Sequence, residues 1–233
     1  MKMKLLCIPY AGGSAFAYNF FNDYLTDLEV VPIELKGRGK RFKEVNYNTF
    51  TEAVDDIYDY VKEIIKDTKY MIFGHSMGSW LAYELYYKIL EEGNTLPIHM
   101  FFSGREAPCI EKTDGLLYKE SDEVIVEALI NLGGMDETVL NSNELLKLYL
   151  PIIKNDFRIL SGYSFKERER KVEVNSTIIS GINDRTTNYK GLYKWLSLIE
   201  GQASISKLKG DHFYFNESKK ELCELIQCVE RGE

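Results

Sequence analysis

The run Tyr70-Met71-Ile72-Phe73 passes directly into Gly74-His75-Ser76-Met77-Gly78 and then into a long segment of helical pattern, Met77–Glu91. Strand, sharp turn and helix in immediate succession is the reading. A turn this tight leaves Ser76 projecting at its tip, and it fits only a sheet whose strands hand over to packed helices. The rest of the chain supplies that alternation. Short apolar runs predict strands at Lys4–Pro9, Glu29–Glu34, Tyr70–Phe73, Ile98–Ser103, Val172–Ser180 and Ala203–Lys207. Between them, helices are predicted over Ala15–Leu25, Thr51–Lys66, Met77–Glu91, Tyr189–Leu198 and Glu217–Glu230. The implied class is α/β, a mostly parallel sheet flanked by helices.

Residues 112–166 break the alternation: they are helical in pattern, carry Gly133-Gly134 and hold no core strand. We read them as a helical lid insertion in a single domain spanning residues 1–233. Loops that follow the C-terminal ends of strands are where α/β enzymes bind ligands. At 45% apolar residues the chain can bury a sizeable core. Its net charge of −7, with both signs scattered, does not point to nucleic acid. Cys7, Cys109, Cys223 and Cys228 form no Cys-x-x-Cys pair, so neither a zinc site nor a redox motif is expected, and reduced thiols fit a cytoplasmic protein. The apolar start after Lys4 meets Pro9 and Gly12-Gly13 too soon for a secretory signal, and no apolar stretch is long enough to span a bilayer.

A serine hydroxyl is a poor nucleophile at neutral pH and needs a base within reach. The chain has only three histidines. His75 adjoins Ser76 on the turn and cannot easily fold back on it, and His99 lies inside an apolar run. His212, in a loop between the last strand and the final helix, is the expected base. An acid that orients it should lie between serine and histidine in the chain. Asp184, just past Val172–Ser180, meets that order. Asp211 is the rival, but its adjacency to His212 makes the far ring nitrogen hard to reach. The Met77 N–H, at a helix N-terminus, and the Ala11 N–H, in Pro9-Tyr10-Ala11-Gly12-Gly13-Ser14, are the expected oxyanion donors. No phosphate-binding glycine fingerprint is present, so no nucleotide cofactor is expected.

Taken together, the motifs resemble the type II thioesterases, stand-alone α/β-hydrolases associated with nonribosomal peptide and polyketide synthetases. The resemblance rests on Pro9-Tyr10-Ala11-Gly12-Gly13, Gly37-Arg38-Gly39, Phe73 through Gly78, Ser103-Gly104-Arg105-Glu106-Ala107-Pro108 and Leu132-Gly133-Gly134-Met135. It continues through Leu150-Pro151 with Asp156, Gly181-Ile182-Asn183-Asp184 and Gly210-Asp211-His212-Phe213. It departs from the usual pattern at Lys36, Asn183 and Asp211. The resemblance implies Ser76, His212 and Asp184 as a triad, Met77 and Ala11 as the oxyanion hole, and Leu132–Asp156 as part of a mobile lid. It further implies hydrolysis of acyl thioesters on the phosphopantetheine arm of an acyl or peptidyl carrier protein, clearing misacylated carriers. No metal or resident cofactor, no nucleic acid and no membrane would be involved, and a monomer is expected. A carboxylesterase or a medium-chain fatty acyl thioesterase would use the same triad. A catalytically silent binding protein is the remaining alternative. Carrier proteins are commonly acidic, so a local patch rather than net charge would have to recognise them. Lys147, Lys154 and Arg158 are available for that, but a solvated helix face is the preferred reading of each.

Overall fold

The computed structural model describes residues 2–110, 117–134 and 137–232. Six parallel strands, β1 (Lys4–Ile8), β2 (Glu29–Pro32), β3 (Tyr70–His75), β4 (His99–Ser103), β5 (Asn175–Gly181) and β6 (Ala203–Leu208), form one sheet in the order β2-β1-β3-β4-β5-β6. The helices are α1 (Phe21–Tyr24), α2 (Phe50–Ile65), α3 (Met77–Glu91), α4 (Asp122–Leu132), α5 (Glu137–Leu140), α6 (Asn143–Gly162), α7 (Tyr189–Tyr193), α8 (Trp195–Leu198) and α9 (Lys219–Arg231).

Side chains alternate across each strand, and both faces of this sheet are covered, so both sets are apolar. Leu6, Ile8, Ile72, Met100, Phe102 and Ile178 join one core with residues of α2, α3 and α6. Their neighbours Leu5, Cys7, Met71, Phe73, Phe101 and Ile179 join a second core with Phe21 of α1 and Leu222 and Ile226 of α9. The near-continuous hydrophobic strands of the sequence are therefore the mark of a sheet buried on both sides.

Several predicted elements change shape. Ala15–Leu25 is a 3₁₀ turn at Ala15–Tyr18 followed by the single turn of α1. Tyr18 and Phe21 stack with ring centres 5.9 Å apart, and Tyr18 donates to the Ile8 carbonyl at 2.9 Å, which pins this segment to β1 rather than letting it run as one helix. Tyr189–Leu198 divides into α7 and α8 around Lys194. There Trp195 turns inward, stacking 4.0 Å from Phe102 and donating its indole N–H to the Arg105 carbonyl at 2.9 Å. The predicted strand at Val172 starts later, at Asn175, and Val172 itself makes only an isolated bridge to Ile199.

Residues of the proposed insertion from 112 to 116, and Met135 of its glycine motif, lie outside the described residues. From Leu117 onward the segment carries α4, α5 and α6. Ser121 and Ser142 cap α4 and α6, accepting the N–H groups of Val124 and Leu145. The second half of α6 is core rather than surface: Leu150, Ile152, Ile153, Phe157, Ile159 and Leu160 are buried. Arg158 donates to the carbonyls of Tyr47 and Asn48, which binds α6 to the loop before α2, and Lys154 pairs with Asp122 at 2.6 Å, which ties α6 to α4.

Candidate active site

Strand order determines what meets at the sheet's C-terminal edge. The chain lays β2 on one side of β1 and then returns to lay β3 on the other, which makes the crevice between β1 and β3 the topological switch point. The register pairs Ile8 with Gly74, so the loop after β1 runs beside the turn after β3. On the far side, Gly181 pairs with Leu208, bringing the loops that carry Asp184 and His212 together.

Ser76 has φ 54° and ψ −117°, and among the described residues no other non-glycine has positive φ. Such a conformation costs about 1–3 kcal/mol and persists only where its surroundings hold it. Here the Ser76 N–H donates to the Ser103 carbonyl at 2.7 Å, and the Ser79 hydroxyl, 2.8 Å from the carbonyls of Gly74 and Ser103, ties the turn to β4. The flanking glycines are required by close approach. A Cβ on Gly74 would lie 2.1 Å from the Gly78 carbonyl oxygen, and one on Gly78 would lie 2.2 Å from that of Ile8. Met77 is the first residue of α3, the end at which a helix leaves N–H groups without intrahelical partners, although that of Ser79 bonds the Ser76 carbonyl at 2.9 Å.

His212 and Asp184 are both buried, with Nδ1 3.0 Å from Asp184 Oδ2. Burial alone would raise the Asp184 pKa, but its bonds with His212 and Thr186 outweigh that and hold it below the usual carboxylate range. Thr186 is the member that the sequence reading did not find. Its hydroxyl donates to Asp184 Oδ1 at 2.6 Å, its backbone N–H donates to the same oxygen at 2.8 Å, and its Oγ1 lies 2.9 Å from His212 Nδ1. The available signal was the pattern Asp184-x-Thr186, in which an aspartate accepts from the backbone two residues on. Asp211 accepts the Phe213 N–H at 3.0 Å, a turn contact that leaves His212 Nδ1 to Asp184.

His75 is fully buried below the site. Its Nδ1 lies 2.8 Å from Ser103 Oγ, which is 2.6 Å from the Tyr214 hydroxyl, and its ring centre is 5.0 Å from that of His212. Burial, and then the proximity of His212, push the His75 pKa well below its ordinary value, so the ring is neutral. His99 lies in β4 with Nε2 2.9 Å from Thr177 Oγ1, and burial lowers it to about 4.

Ser76 and His212 line one cavity of about 270 Å³ together with Tyr10 and Ala11. Its apolar lining includes Leu129 and Leu132 of α4 and Phe157 and Leu160 of α6. A larger groove of about 750 Å³ shares Tyr10, Ala11, Leu129 and Phe213 with it. Among the described residues no group of three or more His, Cys, Asp or Glu is placed to hold a metal ion, and no helix is long and apolar enough to cross a membrane.

A strained serine at a strand-to-helix turn, sharing a cavity with the histidine of a buried His–Asp pair, fits acyl transfer chemistry, and the matches to known proteins agree. The thioesterase domain family model matches residues 3–229. The chain belongs to the thioesterase family. It is a serine hydrolase, and its relatives act on acyl thioesters. It is 33% identical over 226 residues to the gramicidin S biosynthesis protein GrsT of Aneurinibacillus migulanus, covering 97% of this chain and 88% of that protein. It is 28% identical to the medium-chain S-acyl fatty acid synthase thioesterase of Anas platyrhynchos, covering 99% and 93%. Among solved structures, ClbQ from the colibactin NRPS/PKS pathway superimposes with a TM-score of 0.93 at 29% identity, covering 99% of this chain and 98% of ClbQ. The type II thioesterase BorB from the borrelidin biosynthetic cluster gives 0.88 at 27% identity, covering 97% and 92%.

Proposed function

We propose that this thioesterase hydrolyses acyl groups held on the phosphopantetheine arm of a carrier protein, restoring misacylated carriers of a nonribosomal peptide or polyketide synthetase. The observation that carries the reading is the shared cavity: Ser76, His212 and Ala11 on one wall, the apolar side chains of the insertion on the other. Its kinship with GrsT, ClbQ and BorB supports a role beside such a synthetase.

In the resting enzyme the His212 Nδ1–H donates to Asp184, which leaves the Nε2 lone pair free for the Ser76 proton. Ser76 Oγ attacks the thioester carbonyl while Nε2 takes its proton. The carbonyl oxygen, now negative, rests on the N–H groups of Met77 and Ala11. Collapse of the tetrahedral adduct breaks the C–S bond, and the proton on Nε2 goes to the departing pantetheine sulfur. Water then enters, gives a proton to His212 and attacks the acyl-serine. A second collapse releases the carboxylic acid and returns the proton to Ser76. Asp184 holds the tautomer throughout and stabilises the imidazolium, with Thr186 fixing the carboxylate. The arm belongs to the substrate, and the steps use no resident cofactor or metal. The pantetheine chain enters along the groove that shares Tyr10, Ala11, Leu129 and Phe213 with the cavity.

The cavity, at about 270 Å³ just below the roughly 300–1,000 Å³ usual for small-molecule sites, favours short acyl groups. The kinship with the duck enzyme supports a second reading, release of medium-chain fatty acids. Under either reading the enzyme acts as a monomer in the cytoplasm, where its four free thiols stay reduced.

The test is deacylation of a carrier protein bearing acetyl-phosphopantetheine, followed by intact-protein mass spectrometry beside Ser76→Ala. Release that vanishes in the variant supports the proposal. Slow acetyl release with fast release of longer chains would favour the fatty acyl reading. Cleavage of oxygen esters alone would leave an esterase.

A further inference from the structure

The loop that carries Ala11 is held by a pair of charges that the chemistry does not use. Arg38, from Gly37-Arg38-Gly39, and Asp156, from α6, have side chains only 2% and 0% exposed. They meet through two parallel bonds, Nη1 to Oδ2 at 2.6 Å and Nη2 to Oδ1 at 2.7 Å. Both partners also grip the oxyanion loop. Asp156 Oδ2 accepts the Gly12 N–H at 2.7 Å, and Arg38 Nη1 donates to the Gly13 carbonyl at 3.1 Å. The Gly13 N–H is taken internally, by the Tyr10 carbonyl at 2.9 Å. Of the three successive N–H groups from Ala11 to Gly13, only that of Ala11 has no acceptor among the described residues.

A buried ion pair is weak evidence for stability, because desolvating two charges offsets most of their attraction, and apolar residues of similar volume often serve as well or better. Burial opposes the charge of Arg38, and Asp156 more than compensates, so the guanidinium remains charged. What an apolar pair could not supply is an acceptor for Gly12 and a donor for Gly13. The same α6 contributes Phe157 and Leu160 to the cavity wall, and Ile153 packs so closely that a Cβ on Gly12 would lie 2.5 Å from its Cγ1.

We infer that Arg38 and Asp156 are positioning residues for thioester hydrolysis: through Gly12 and Gly13 they aim the Ala11 N–H at the developing oxyanion, so the oxyanion site is complete only when α6 is seated. This rests on the oxyanion role proposed above for Ala11. It ties the insertion to the chemical step as well as to acyl binding.

The test compares Asp156→Asn with the double variant Arg38→Met/Asp156→Leu, which replaces the ion pair by an apolar pair and so preserves packing. Acyl-pantetheine turnover is measured well below each melting temperature, together with inhibition by an alkyl boronic acid whose Ser76 adduct places an oxygen in the oxyanion site. The expected result for the double variant is a loss in kcat of about ten- to a hundredfold with KM nearly unchanged, and boronate affinity weakened by the same factor. Asp156→Asn, which keeps one carbonyl acceptor, falls between it and the natural enzyme. A folded double variant with kcat within about twofold of the natural enzyme would overturn the inference, because transition-state contacts would then not depend on the pair. Ala11→Pro, which removes the N–H itself, separates the two readings. If it alone loses kcat, Ala11 is an oxyanion donor that the pair does not position; if it keeps full kcat, the oxyanion role of Ala11 fails and the inference with it.

Discussion

The two sides of the active site are assembled over very different distances. On the acid–base side, Asp184 and Thr186 share one loop, and His212 lies 28 residues beyond Asp184 on the neighbouring loop, next to it because β5 pairs with β6. On the oxyanion side, the Ala11 loop is fixed by Arg38 and by Asp156, which stand 118 residues apart in the chain. The first side is a product of strand pairing. The second depends on a helix of the insertion reaching back to the first strand's loop. An α/β sheet thus carries the proposed nucleophile, base and acid at its own edge, while the shape of the proposed oxyanion loop is referred to a segment outside the alternating pattern.

The comparison makes graded predictions, beginning with the largest. Ser76→Ala and His212→Ala should each lower kcat by about 10⁶-fold, and the double variant should be hardly worse, since they act as one unit. Thioester turnover of the three proteins checks this; multiplied losses would break the unity of the acid–base side. Asp184→Asn should cost on the order of 10⁴ in kcat by favouring the wrong imidazole tautomer. Combined with Arg38→Met/Asp156→Leu, its loss should multiply with theirs, because the two sides share no partner. Marked non-additivity would show that the sides are coupled.

Thr186→Val should lower kcat about two- to tenfold, the worth of one neutral hydrogen bond, with KM held. An unchanged kcat would make Thr186 a turn residue only. The smallest effect concerns stability. Burial holds the pKa of His75 well down and that of His99 at about 4, whereas the unfolded chain binds protons at both near 6.5. Their contribution is therefore complete above about pH 6.5 and is lost as pH falls toward the folded values. The urea midpoint should drop between about pH 7.5 and 5, and His99→Asn should flatten that slope. A midpoint independent of pH would contradict the burial of both rings.

The same contrast explains what the sequence disclosed. Ser76 was legible because its turn is encoded by five adjacent residues between a strand and a helix. With only three histidines, elimination left His212 as the expected base and chain order named Asp184 as its expected acid, and the structure sets the two side chains 3.0 Å apart. β1, β3 and β4 were legible because burial on both faces leaves nearly unbroken apolar runs, while the half-buried edge strands β2 and β6 showed shorter ones. What escaped depends on contacts between distant segments. Nothing local pairs Arg38 with Asp156, although both stood in the motifs that carried the family resemblance. Nothing local marks Thr186, whose contact with His212 is made only where the two loops meet. The break in Ala15–Leu25 follows from the hold of Tyr18 on Ile8, a contact made only when β1 lies beneath it.

The most direct test of the account is to trap its covalent intermediate. The enzyme is mixed rapidly with an acetylated carrier protein, quenched in acid at successive times, digested and read by mass spectrometry. The account predicts one acetyl group on the peptide that contains Ser76, appearing before free acetate accumulates and absent from Ser76→Ala. Acetate release with no acyl-enzyme at any time, or an acetyl group on a different residue, would contradict it.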